Sequence, residues 1–275
     1  MRTNPDLKRH ALITALGTVL FCTTISNEAL AAPFHVGQFI TYSQDNWGSQ
    51  GSAGEQILVN HFSGVYPNGV EVGIPGILGT SALFTTVQAS QTYLPASGSA
   101  GPLDNDYLDP HSTSSGTLGS YVLAMAFNVD FNDAGVLAGS AAIRFGDLTI
   151  VNLATAVVEG VPEDFSDLNG LSVRQFLAAA NSCLGGGGCP HTYEGISIIA
   201  RDLALAFDEG TPTQFAQAHL QLPAGPVTPV PEPPTLSVLG IGLLALTGRH
   251  RSTRARSHRA RTTSGPLNHK TKTTA

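Results

Sequence analysis

Alternation of apolar and polar positions dominates the first two-thirds of the chain and predicts β-strands there. Val70, Val72 and Ile74 alternate in a short run, and a longer alternation runs from Tyr121 to Phe131. In that longer run every second residue is large and apolar, which is the period of a strand with one buried face. Further strands are predicted over residues 34–42, 56–62, 82–87 and 142–150.

The hydrophobic period changes to that of a helix in the last third. Ser172 and Gln175 have the spacing of a capping box at the start of a first helix, and an apolar stripe over residues 196–207 indicates a second. Thr211 is the predicted N-cap of a third, with Pro212 at its first position. The predicted fold is therefore β-rich α+β. A β-sheet or sandwich over about residues 34–150 is followed by a small cap of about three helices over about residues 172–222.

The first 31 residues have the three parts of a secretory signal peptide. Basic residues within the first nine positions precede an apolar run over residues 11–22. Ala29 and Ala31 then form an A-x-A cleavage site. We expect export through the Sec machinery and removal of residues 1–31 by signal peptidase.

The C-terminal end combines a proline-rich segment, a short apolar run and a basic cluster. In chain order these are Pro231, Glu232 and Pro233, the apolar residues 236–247, and then Arg249 and Arg251. Twelve helical residues rise about 18 Å, which is short for a hydrocarbon core of about 30 Å. Flanking arginines can extend to the membrane surface and reduce the cost of that mismatch.

This order of parts resembles the PEP-CTERM sorting signal of Gram-negative bacteria. The resemblance implies that Pro231–Pro233 is the sorting triplet, that residues 236–247 are a single apolar transmembrane helix, and that Arg249 and Arg251 are its cytoplasmic stop. It further implies transient insertion in the inner membrane, cleavage by an exosortase, and delivery to the cell surface or the exopolysaccharide matrix. Residues 168–177 and 210–220 also resemble segments of uncharacterised PEP-CTERM surface proteins, which brings no activity with it.

Charge separates the chain into three parts and excludes one class of partner. Residues 32–225, the predicted extracellular ectodomain, hold seventeen Asp and Glu against three Arg and no Lys, a net charge of about −14. The other eleven basic residues lie in the first nine positions or beyond residue 248, so the proline-rich and sorting region over 226–275 is basic. Phosphate binding needs clustered Lys and Arg, so we expect the ectodomain not to bind nucleic acid.

The chemistry that the ectodomain could hold is sparse. Cys183 and Cys189 are its two cysteines, and in an oxidising compartment a pair this close predicts a disulfide. His191 lies near them, but a zinc site would need a fourth ligand that the sequence does not offer. Two acidic stretches, 104–109 and 130–133, are predicted to be solvated turns, and calcium binding is the alternative. Glu163, Asp164 and Asp167 are predicted to be turn or helix-approach residues.

No catalytic motif supports an enzyme. The G-x-S-x-G and H-E-x-x-H patterns are absent from the sequence, so we assign no catalytic residue, cofactor or metal ligand. The predicted function is a non-enzymatic surface or matrix protein, structural or adhesive, with extracellular polysaccharide as a partner. The alternatives are a secreted matrix-modifying hydrolase, whose two carboxylates would leave no local signature, and a saccharide-binding module, for which the single Trp47 offers little aromatic surface.

Overall fold

A computed structural model describes residues 34–137, 139 and 143–223, all within the first of the two units into which the chain divides, Met1–Pro223. Seven α-helices lie among the described residues. They are α1 (Gln44–Gly48), α2 (Ala53–Val65), α3 (Val87–Tyr93), α4 (Gly116–Asp133), α5 (Val173–Leu184), α6 (Tyr193–Ala204) and α7 (Gln214–His219).

The strands of the described residues form four small sheets. Strands β1 (Val70–Gly73) and β2 (Ser81–Phe84) are antiparallel, and β3 (Tyr107–Leu108) joins β2 in parallel. Three antiparallel pairs complete the set: β4 (Thr149–Ile150) with β9 (Leu220–Gln221), β5 (Thr155–Val158) with β6 (Val161–Asp164), and β7 (Phe207–Asp208) with β8 (Thr211–Pro212). The fold is mixed α+β, as predicted. Four of the seven helices precede β4, and the strands form four small sheets. The described residues therefore confirm neither a sandwich nor a separate helical cap that follows it.

Helix α4 lies at the centre of the core and overturns the longest predicted strand. Large residues such as Leu123, Phe127 and Phe131 are fully buried, and so are the smaller Ala124 and Asn128 between them. Helices α1, α5 and α6 pack around α4. A helix buried on every face carries no polar stripe, so its helical period is invisible. The alternation of large and small residues imitates a strand, and the prediction of a strand over 121–131 is wrong.

A second predicted strand is also helical. Residues 56–62 lie inside α2, where Leu58 and Phe62 face the core. The N-cap of α2 is Ser52, whose hydroxyl accepts a hydrogen bond from Glu55 N at 3.1 Å. Ser52 and Glu55 have capping-box spacing, so the helix start was readable from the sequence.

The remaining predicted strands differ in how well they match. Alternation over β1 is confirmed, since Val70 and Val72 are buried while Glu71 is exposed. Residues 34–42 form turns with one isolated bridge at Thr41 instead of a strand. Their backbone N–H and C=O groups hydrogen-bond to separate loop residues and not to one neighbouring strand. The strand predicted over 82–87 is confirmed only as far as Phe84, where β2 ends, and α3 begins at Val87. In the described part of 142–150, a 3-10 turn leaves only β4 extended.

The helical predictions of the last third are largely confirmed. Ser172 Oγ accepts from Gln175 N at 3.2 Å, and Gln175 Oε1 accepts from Ser172 N at 2.8 Å, which completes the capping box of α5. Helix α6 covers most of the second apolar stripe. Helix α7 begins later than predicted, because Thr213 is its N-cap and accepts from Ala216 N at 3.2 Å. Thr211 belongs to β8 instead.

Candidate functional site

The predicted disulfide joins Cys183, in the last turn of α5, to Cys189. Their Cα atoms are 4.6 Å apart. The chain between them turns back through Gly186 and Gly188, whose φ angles of +80° and +89° are left-handed and favour glycine. The short loop thereby places His191 just before α6. Because both cysteines are bonded to each other, neither is available as a metal ligand.

His191 lies between the carboxylates of Glu163 and Asp167, two of the residues that are predicted from the sequence to be in turns or helix approaches. Its Nδ1 lies 3.2 Å from Glu163 Oε1, and its Nε2 lies 3.1 Å from the Asp167 carboxylate. The side chain is only 6% exposed, and its ring packs on Phe165 with centroids 5.1 Å apart. Both ring nitrogens are therefore occupied by carboxylates. No sequence pattern indicates this cluster, because Glu163 and Asp167 are 28 and 24 residues away from the histidine.

Glu163 also fixes the start of α6. Its Oε1 accepts from Thr192 N at 2.8 Å, and its Oε2 accepts from the Thr192 hydroxyl at 2.6 Å. Thr192 in turn caps α6 by accepting from Gly195 N at 3.0 Å. The carboxylate therefore links the end of β6 to the start of α6, where the helix dipole also favours a negative charge.

The acidic stretch 104–109 is divided among separate partners. Asp106 accepts from Ser81 N at 2.9 Å, while Asp104 accepts from Ser114 Oγ at 3.0 Å. Asp109 accepts from both the hydroxyl and the N–H of Thr85 at 2.6 Å, and these hydrogen bonds lower the pKa of its carboxyl. The carboxylates thus brace the loops around β2 and β3.

The second acidic stretch is divided in the same way. Asp130 accepts from the Tyr66 hydroxyl at 2.9 Å, whereas Asp133 pairs with Arg174 at 2.7 Å. Within the described residues, no three His, Cys, Asp or Glu side chains converge as a metal site would require.

The other histidines of the described residues do not form a catalytic set. His35, His61 and His111 are exposed at separate places in the fold, and His219 Nδ1 contacts Val151 O at 3.2 Å. No histidine ring nitrogen contacts a serine or threonine hydroxyl in this part of the chain. A nucleophile activated by histidine would need that contact.

The open cavities that the described residues form include one beside the disulfide and one among the first three helices. One, of about 440 Å³, lies beside the disulfide and is lined by Cys189, His191, Tyr193 and Glu194, among others. The other, of about 520 Å³, lies among the first three helices and is called the α1–α3 cleft. Its polar and apolar walls include Gln50, Glu55, Val59, Gln88, Gln91 and Thr92.

The residues predicted to direct export and sorting lie outside the described residues. They are Ala29 and Ala31 of the signal cleavage site, Pro231, Glu232 and Pro233 of the triplet, the apolar segment 236–247, and Arg249 and Arg251. Among the residues that are described, no helix has the length and apolar character that a membrane crossing needs.

Comparison with known proteins identifies the C-terminal segment. The family model for the PEP-CTERM protein-sorting motif matches residues 229–252, which include the triplet and both arginines. No curated protein and no solved structure matches the chain. The motif implies Sec-dependent export, processing by an exosortase, and sorting to the cell surface or extracellular space. The resemblance of the tail is thus confirmed, and the chain is a protein that carries a PEP-CTERM protein-sorting motif.

Proposed function

We propose that the chain is a non-enzymatic surface or matrix protein, structural or adhesive, that is trimmed at both ends and retained in extracellular polysaccharide. The observation that carries the proposal is the sorting motif at 229–252, which follows directly on the ectodomain. A protein delivered in this way acts outside the cell, where extracellular polysaccharide is within its reach.

The proposed route includes a transient stop in the inner membrane. The apolar residues 236–247 pause export, and Arg249 and Arg251 hold the C-terminal side in the cytoplasm, in accord with the positive-inside rule. A run this short is a poor permanent span. The prolines of the triplet keep the chain extended at the point where the exosortase would cut.

Two features of the ectodomain support a role without catalysis. His191, whose side chain is only 6% exposed, has both ring nitrogens occupied by Glu163 and Asp167. The carboxylates of the two acidic stretches serve loop and helix contacts instead of facing each other across a cleft. Neither arrangement presents a nucleophile activated by histidine or a pair of carboxylates facing a cleft, as hydrolases of these two classes do.

Cell fractionation tests the sorting part of the proposal. Replacing Pro231, Glu232 and Pro233 with alanine should trap the protein in the inner membrane, whereas the unchanged chain should reach the surface without residues beyond about the triplet. Replacing Pro226 and Thr228 with alanine is the matched control and should leave sorting intact. Mass spectrometry of the C-terminal peptide reads the outcome. Recovery of residues up to Ala275 on surface protein would contradict the proposal.

An activity assay tests the non-enzymatic part. The purified protein should not shorten the polysaccharide of the cells that produce it. Cleavage that a single carboxylate substitution abolishes would replace the proposal with the hydrolase alternative.

A further inference from the structure

The α1–α3 cleft is a polar cavity built by three short elements. Gln50 follows α1, Glu55 and Val59 lie on α2, and Gln88 and Gln91 lie on α3. Its volume of about 520 Å³ is within the range of about 300–1,000 Å³ that small-molecule sites occupy. The three helices pack on one another, so the walls of the cleft are part of the folded framework.

Amide groups with spare hydrogen-bonding capacity dominate the polar wall. Gln91 Nε2 donates to Glu55 Oε1 at 3.2 Å, and Gln88 Nε2 contacts Thr92 Oγ1 at 3.2 Å. These contacts leave the Oε1 acceptors of Gln88 and Gln91 unused by the described residues, and the amide of Gln50 makes no side-chain hydrogen bond there. The cleft therefore offers both donors and acceptors to an incoming group.

The cleft carries one charge, and that charge is already engaged. Besides Gln91, Glu55 accepts from Gly51 N at 3.3 Å through its Oε2. No Lys or Arg is among the lining residues. Val59 on the same wall is 57% exposed, and it offers an apolar contact beside the amides.

We infer that the α1–α3 cleft binds a neutral oligosaccharide. A sugar hydroxyl both donates and accepts, which matches the paired donor and acceptor of each glutamine amide. The C–H face of a sugar ring can pack against Val59. An acidic sugar would meet Glu55 and an ectodomain of net charge about −14, both repulsive. The inference deepens the proposed matrix role and rests on it for the source of the ligand.

Calorimetric titration of the full chain against hexasaccharides tests the inference. The probes are neutral hexamers of glucose, galactose and mannose, the acidic oligogalacturonate, and the cationic chitosan hexamer. At least one neutral hexamer should bind, and oligogalacturonate should not. Absence of binding by every neutral hexamer, or binding confined to the acidic or cationic probe, would overturn the inference.

Three glutamine variants locate the binding. Gln88→Leu and Gln91→Leu should each weaken binding of the neutral hexamer by about 3- to 10-fold, the effect of losing one or two neutral hydrogen bonds. Gln56→Leu is the matched control, because Gln56 is on α2 next to Glu55 but does not line the cleft. It should leave the affinity unchanged. Equal affinities for all three variants would remove the cleft as the site.

Two further measurements separate the possible failures. If the loss of the contact with Glu55 lowers the melting temperature of Gln91→Leu, the affinity of the exposed Gln88→Leu variant is the measurement that tests the cleft. The Glu55→Gln variant should bind the neutral hexamer with unchanged affinity. It should bind a cationic ligand more weakly, because the carboxylate that would pair with the cation is gone. The cleft variants should still be sorted and trimmed, so a failed sorting experiment and a failed binding experiment give different results.

Discussion

The side chain of Asn128 holds both backbone polar groups of Tyr42. Asn128 Nδ2 donates to Tyr42 O at 2.9 Å, and Asn128 Oδ1 accepts from Tyr42 N at 2.8 Å. The same Nδ2 donates to Ala204 O at 3.2 Å. One fully buried amide of α4 therefore ties the N-terminal loop to the end of α6, and it satisfies backbone groups that no strand pairing reaches.

Asn128→Leu should destabilise the fold by roughly 3 kcal/mol or more. The substitution leaves up to three buried backbone groups without partners, and each costs about 1–3 kcal/mol. Urea denaturation measures the change as a lower midpoint with an unchanged slope. Asn60→Leu, on the exposed face of α2, should stay within about 0.5 kcal/mol. Similar midpoints for the two variants would contradict the role of Asn128.

Asp130→Asn should stabilise the fold at neutral pH. Burial raises the pKa of the Asp130 carboxyl above its ordinary value of 3.8, although the hydrogen bond from Tyr66 opposes that rise. The folded state therefore favours the protonated acid, and the stability this gives at low pH is lost as pH rises through the raised pKa. Asparagine keeps an acceptor for Tyr66 without the charge. We expect a gain of about 1 kcal/mol at pH 7, which is the usual size of a single stabilising substitution.

The gain from Asp130→Asn should shrink as pH falls through the raised pKa of Asp130, and it should vanish at about pH 3, where the carboxyl is mostly protonated in both states. Thermal or urea unfolding at several pH values measures this. Asp133→Asn is the control of opposite sign, because it removes the 2.7 Å ion pair with Arg174 and should cost up to about 1 kcal/mol at neutral pH. A pH-independent difference for Asp130→Asn would refute the assignment.

Replacing both Cys183 and Cys189 with serine should lower the free energy of unfolding by about 2 kcal/mol. The disulfide closes a loop of few residues, so it restricts the unfolded chain only modestly. Alkylation without reductant should label neither cysteine of the exported protein. Reductant should destabilise the wild type and leave the double variant unchanged. Free labelling of both thiols in exported protein would rule the bond out.

The exported protein should begin at Ala32. The A-x-A site at Ala29 and Ala31 predicts cleavage after Ala31. Intact-mass measurement of the exported protein tests this directly. Replacing Ala31 with leucine should block cleavage, while Ala32→Ser should not. Retention of residues 1–31 on exported wild-type protein would defeat the export prediction.

Features that are local in the sequence were predicted well. The capping box of Ser172 and Gln175, the alternation in β1, and the disulfide depend on residues within a few positions of one another. The sorting motif is also contiguous, and it was recognised from the order of its three parts. Thr211 shows the limit of such patterns, since Thr213 offers the same chemistry two residues later and is the cap that the fold uses.

The sorting of this protein can be predicted from its sequence alone, because an exosortase and an export machinery recognise short continuous segments. The buried helix over residues 116–133 becomes visible only in the folded structure, since a segment enclosed on all sides carries no polar face to reveal its period. The tertiary structure also brought Glu163 and Asp167 to His191, and assembled the α1–α3 cleft. These sites join residues that are distant along the chain, and no local pattern records which distant surfaces will pack together.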